Sequence, residues 1–255
     1  MHRQGLISLL LLPTVLRGGG HFSFLSFLVY NRNTMASQIA HIIYTQKFFS
    51  SIESGEIISK LGEEERDKYP LGKINKDEFF LGSVFPDIRR VDENIRRKDT
   101  HLYFPKINLD FSGLTHFEAG WKFHLYCDMK REELLNKYGF YSLENTTDFY
   151  NLPAKIWEDE LVYDYYNNWE KLVNFFNSSP KIKIDFHVRQ ESIDFWYAIL
   201  AKYFEKKPDN KSMRAFLLKQ PSLVKKVDGV MACIENLRKN KKAAEIINKI
   251  KEEII

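Results

Sequence analysis

An all-α fold, a single multi-helix globular domain, is what this sequence predicts, and three observations predict it. Apolar residues recur at helical spacing over long stretches. No stretch alternates apolar and polar residues well enough to suggest a strand. Chain breakers are scarce, with 12 Gly and 8 Pro in 255 residues. Hydrophobic residues make up 44% and charged residues 28% of the chain, a balance that excludes a disordered protein. No internal repeat and no low-complexity segment is present.

The elements can be justified in order. Residues 1–34 read as an N-terminal extension or leader: "GLISLLLLPTVL" after "MHRQ" resembles a charged and then apolar signal sequence, but no small-x-small cleavage site follows. "MASQIAHIIYTQKFF" then reads as a natural protein start. From Ser37 to about Ile52, residues Ile39, Ile42, Ile43, Phe48, Phe49 and Ile52 make an amphipathic helix. "SGEIISKLGEEERDKYPLGKINK" reads as a short helix and loops. "KDEFFLGSVFPDI" is an apolar helix that stops before Pro86, because a residue preceding proline is pushed out of the α region. Residues 88–112 are expected to form a long loop, charged and then aromatic.

A helix follows Ser112 and ends near Gly139. "LPAKIWEDELVYDYYNNWEKLVNFFNS" reads as a second long helix with Pro153 in its first turn. "KIDFHVRQESIDFWYAILAKYFEKK" reads as a third, ended by Pro208, and residues 209–254 as two more around Pro221. The domain is expected to run from 35 to 255.

The net charge of +4 sits partly in "RKNKKAAEIINKIKEE", which reads as a solvated helix face, so no nucleic-acid partner is expected. Cys127 and Cys233 form no CxxC spacing and suit a reducing compartment. Neither N-terminal apolar run reaches the roughly 18–20 residues of a membrane-spanning helix, so no transmembrane segment is expected. The expected location is the cytoplasm, or outside it if residues 1–34 act as a signal peptide.

Chemistry concentrates in histidines and carboxylates. In "AGWKFHLYCD", His124 and Asp128 lie four residues apart, one above the other on a helix face, where two ligands can converge on one ion. His187 and Glu191 share that spacing. His41 falls in the first helix, Asp87 closes "GSVFPD", and His101 follows from the next loop. Imidazole nitrogen with carboxylate oxygen suits zinc, and also manganese, iron or cobalt. Each pair alone is as well explained by a core histidine or a surface ion pair. Arg89, Arg90, Arg96, Arg97 and Lys98 lie between two of these candidates. Guanidinium forks suit phosphate, which makes Arg89 and Arg90 candidates for substrate binding.

The order of the parts resembles the zinc-dependent phospholipase C family, in particular its small bacterial members. "MASQIAHIIYTQKFF" looks like the family's opening, "LGSVFPDI" like its Gly-x-x-x-Pro-Asp element, and "AGWKFHLYCD" like its Gly-…-His-x-x-x-Asp helix. The resemblance covers residues 35–191. It implies an all-α domain of phospholipase C / P1-nuclease-like type, with metal ligands projecting from several helices. It also implies one to three zinc ions: one centre from Asp87, His101, His124 and Asp128, a neighbouring ion on His41 and a shared Asp128, and a further ion on His187 and Glu191. The family's histidine soon after the His-x-x-x-Asp pair is missing from "MKREELLNKYG", which leaves Glu132, Glu133 or Asp159 as substitutes.

The implied activity is a phosphoesterase that hydrolyses a phosphodiester, either a small molecule or a phospholipid head group. Asp87 would orient the attacking water or accept its proton. The alternatives are a nucleotide phosphohydrolase, or a non-catalytic helical protein with a degenerate or single structural metal site.

Overall fold

The computed structural model describes residues 37–56, 74–178, 181–182 and 184–255; the expectations for residues 1–34 and for most of "SGEIISKLGEEERDKYPLGKINK" lie outside them. The described residues contain ten α-helices and several short 3₁₀ segments joined by turns and loops, and no strand occurs among them. The helices are α1 (Gln38–Glu53), α2 (Lys76–Val84), α3 (Arg97–His101), α4 (His116–Lys137), α5 (Leu152–Val162), α6 (Trp169–Asn177), α7 (Gln190–Phe204), α8 (Asn210–Leu218), α9 (Val227–Leu237) and α10 (Lys241–Glu253). No described helix is long and apolar enough to cross a membrane.

Local chemistry sets the helix ends. Asn75 caps α2, its side chain accepting from the amides of Asp77 (3.1 Å) and Glu78 (3.2 Å). α4 begins with a reciprocal capping box: Thr115 accepts from the Glu118 amide, and Glu118 accepts from the Thr115 amide. It ends at Gly139, whose φ of +65° is the left-handed conformation that a glycine adopts without steric cost.

Several expectations are corrected. The helix carrying "GSVFPD" does not simply stop before Pro86. It tightens into a 3₁₀ turn, Phe85–Arg90, so Asp87 lies inside that turn beside Arg89 and Arg90. Proline tolerates this because its missing N–H falls in a first turn, where no partner is required. The loop over 88–112 contains the short helix α3. The second long helix is broken into α5, a 3₁₀ turn at Tyr163–Tyr165, and α6. Its uniform apolar content concealed the break. The third helix starts at Gln190, so His187 precedes it. The C-terminal part holds three helices and not two.

Aromatic rings fill the core. Phe48 of α1 stacks on Phe79 of α2 at 5.7 Å and lies 4.8 Å from Phe123 of α4. A second group joins α6 to α7 through Trp169, Phe176, Tyr197 and Phe204. Trp121 anchors a third, stacked on Tyr103 at 4.4 Å and edge-on to Phe85 at 5.0 Å, while its indole N–H donates to the Thr100 carbonyl. Thereby α3 is fixed to α4.

The backbones of α2 and α4 pack in direct contact. A β-carbon on Gly82 would lie 2.0 Å from the Phe117 carbonyl oxygen, and one on Gly120 would lie 2.0 Å from that of Phe79. The two backbones touch where neither residue has a side chain.

Candidate metal centre

The α2–α4 contact sets the position of the site. Gly120, His124 and Asp128 lie one turn apart along α4, so the face that touches α2 also carries the two polar side chains. One residue past Gly82, the Ser83 carbonyl accepts from His124 Nδ1 at 2.8 Å, which leaves Nε2 with the free lone pair. Likewise Thr100 Oγ1 engages His101 Nδ1 at 2.9 Å and turns Nε2 inward. His41 enters from α1, its ring stacked on His124 with centroids 3.7 Å apart.

Five expected residues come together. His41 Nε2 lies 3.4 Å from Asp128 Oδ1, and His124 Nε2 lies 3.5 Å from Asp128 Oδ2. His101 Nε2 lies 3.9 Å from Asp87 Oδ1 and 4.0 Å from Asp128 Oδ2. Two groups of possible ligands result, His41–His124–Asp128 and Asp87–His101–His124, each with its ligand atoms within 4.8 Å of one another. All five residues are buried.

The donor set fits a divalent cation. Four ligands about 2.05 Å from a tetrahedral ion lie roughly 3.3 Å from each other, and the separations of 3.4–4.0 Å need little contraction. Both nitrogens of His41, Nε2 of His124 and Oδ1 of Asp87 are buried with no hydrogen-bond partner among the described residues, an arrangement that is costly unless another group satisfies them. Since Nε2 of His124 has one lone pair, it serves one ion, whereas the two oxygens of Asp128 can serve two. An ion could therefore sit in either group, His41–His124–Asp128 or Asp87–His101–His124, and His124 can serve only one of the two at a time.

Electrostatics favours the ligand-competent forms. Burial pushes the pKa of His41 down to about 3 against the attraction of Asp87. Burial and the adjacent His41 bring His124 to about 4, and burial holds His101 well below its usual value. All three are neutral at neutral pH, as metal binding requires.

Burial alone would raise the pKa of Asp87, but Arg90 and Arg89 outweigh it and hold the carboxyl below the usual carboxylate range. Arg90 Nε lies 3.2 Å from Asp87 Oδ2 and Arg89 Nη2 lies 3.9 Å from Oδ1. A carboxylate held this low is a weak base, which suits Asp87 to anchoring and orienting more than to taking a proton.

His187 and Glu191 do not join the group. His187 lies in a non-helical stretch ahead of α7 and Glu191 in its first turn; both are exposed, so the expected helical pair is not formed. The expected substitutes for the missing histidine are engaged elsewhere. Glu132 accepts from Tyr141, Glu133 pairs with Lys130, and Asp159 accepts from the amides of Ile39 (2.8 Å) and Ala40 (3.2 Å).

Other residues of the site escaped the sequence reading. Gln38 donates to Asp87 Oδ2 from one turn before His41. Arg131, one turn beyond Asp128, is buried against Glu158, which also accepts from Tyr44. The buried Lys155 lies close enough to feel the charges of Asp128 and Asp87. Spacing from His41 and Asp128 could have flagged Gln38 and Arg131; α5 carried no signal that its charged residues face inward.

No family model, curated protein or solved structure matches this chain.

Proposed function

We propose that this domain is a metal-dependent phosphoesterase, with zinc as the ion the ligands suit best and a phosphodiester as the substrate class suggested by its resemblance to phospholipase C. The observation that carries the reading is the convergence of His41, Asp87, His101, His124 and Asp128 from α1, the turn after α2, α3 and α4 on one buried point. These five residues would hold one ion firmly and a second through His41 and Asp128. When bound, zinc supplies Lewis-acid polarisation of a phosphoryl oxygen and acidifies water at neutral pH.

The chain's own residues do the rest. Ser83 and Thr100 fix the orientation of His124 and His101. Gln38 and Arg90 hold Asp87 so that its Oδ1 faces the site. Arg89 and Arg90 present guanidinium groups to an incoming anion.

Elemental analysis of purified protein tests the reading, beside His124→Ala and Asp87→Ala. One or more zinc per chain, lost in both variants, together with hydrolysis of a chromogenic phosphodiester, is the expected result. Metal without hydrolysis would favour a structural site, and metal retained in His124→Ala would overturn the ligand assignment.

A further inference from the structure

We propose that the mouth of this site recognises a doubly charged phosphate group, a phosphomonoester or inorganic phosphate, and that Arg97 acts with Arg89 and Arg90 as the specificity-determining wall. The proposal rests on the metal-dependent phosphoesterase reading, but names a monoester in place of the diester as the group this site binds best.

Exposure shows which side faces solvent. His41, Asp87 and His124 are fully buried, whereas the side chains of Arg90 and Arg89 are 14% and 19% exposed and Arg97 is half-buried. The arginines are thus more exposed than any of the five proposed ligands. Arg97 belongs to this layer because it starts α3 and His101 ends it, four residues on, so the two share a face. Its charge bears on both His101 and Arg89.

The layer is prepared for an acceptor. Arg90 is steadied by the buried Gln220, whose Oε1 accepts from Nη1 at 3.1 Å. Arg97 Nη1 is buried and has no hydrogen-bond partner among the described residues, whereas Arg90 Nε is already paired with Asp87 Oδ2 at 3.2 Å. Like-charged guanidinium groups crowded together cost free energy unless anions lie between them.

The charge balance selects the anion. Arg89 and Arg90 both pair with the one carboxylate of Asp87, Asp128 is the other carboxylate of the site, and Arg97 adds a third guanidinium, while Arg131 is taken up by Glu158. The excess is positive before any metal binds, and each divalent ion adds two further charges. A diester carries one negative charge and two non-bridging oxygens; a monoester carries up to two charges and three such oxygens. The monoester better matches three forked donors.

Calorimetry on the full-length, zinc-loaded chain tests this with methyl phosphate and dimethyl phosphate, at about pH 8 where the first is a dianion. Wild type should bind methyl phosphate at least roughly tenfold tighter than dimethyl phosphate. Arg97→Ala should weaken methyl phosphate by roughly tenfold and dimethyl phosphate by no more than about twofold, with zinc content unchanged, and Arg97→Lys should recover part of the loss. Equal affinity for the two probes, no binding of methyl phosphate, or an unaltered Arg97→Ala would overturn the proposal. Zinc content is read separately. A chain that takes no zinc defeats the phosphoesterase reading, and the same titration on the metal-free chain still decides whether the arginines prefer the dianion.

Discussion

Gly120→Ala separates packing from ligation, because residue 120 is not one of the proposed ligands yet determines where they lie. Its new methyl would sit 2.0 Å from the Phe79 carbonyl oxygen, 2.8 Å from that carbonyl carbon and 3.0 Å from its α-carbon. Ordinary contact is about 3.4 Å or more, so α2 must retreat from α4 by roughly 1 Å. The obstacle is backbone, and no rotamer can relieve it. Ser83 and Asp87 move with α2, whereas His124 and Asp128 stay with α4. The 2.8 Å bond that orients His124 is then lost or stretched, and Asp87 leaves the ligand group.

Overpacking of this kind costs about 1–3 kcal/mol, or roughly 2–12 °C in Tm for a domain of this size. Loss of the orienting bond should weaken metal affinity by roughly 10–100-fold. Thermal unfolding with and without chelator, and zinc content after dialysis, measure both effects. A variant that melts like wild type and keeps its zinc would refute the reasoning. Gly82→Ala should behave alike, since its methyl would meet Phe117 O at 2.0 Å and Trp121 N at 2.7 Å.

Other expectations follow from the same structure. In the metal-free protein, His41 and His124 titrate near 3 and 4 when folded and near 6.5 when unfolded. Below pH 6.5 the unfolded chain therefore binds protons first, and stability falls with pH until the folded values are reached. Between pH 7.5 and 5 each histidine should remove about 2 kcal/mol, read from urea midpoints; a flat profile would count against their burial as neutral groups. Asp159→Ala should cost about 1–2 kcal/mol through the lost cap of α1, and Asp159→Asn, which keeps the acceptor, should recover most of it in the same denaturation assay. His187→Ala and Glu191→Ala should leave zinc content unchanged, because both residues are exposed and outside the ligand group; zinc loss in either would show that the site extends to α7.

The fold class was readable because the apolar spacing in α1, α2, α4 and α7 is helical over long stretches. The breaks were not: Asn167 and Asn168 offer only weak punctuation in a run of aromatic residues, so α5 and α6 read as one helix. His124 and Asp128 could be paired by helix geometry alone, because one element carries both. His187 and Glu191 could not, because the same spacing has meaning only if the helix already exists at residue 187. Asp87, His101 and His41 come from three further elements, and only the ordered resemblance linked them. The inward-facing charges of α5 depend on burial on several sides at once, which no single-helix pattern encodes.

The capping of α1 has a kinetic consequence. The amides of Ile39 and Ala40 are satisfied by Asp159, about 120 residues further along the chain. The helix that presents His41 thus gains its start only when α5 has docked, and closing so long a loop is slow compared with forming α4. During folding, His124 and Asp128 are available together on α4 well before the remaining ligands arrive. Early metal capture would occur there as a weak two-ligand encounter, and full retention would wait for the slowest docking step. Zinc uptake during refolding should accordingly lag behind the gain of helical signal.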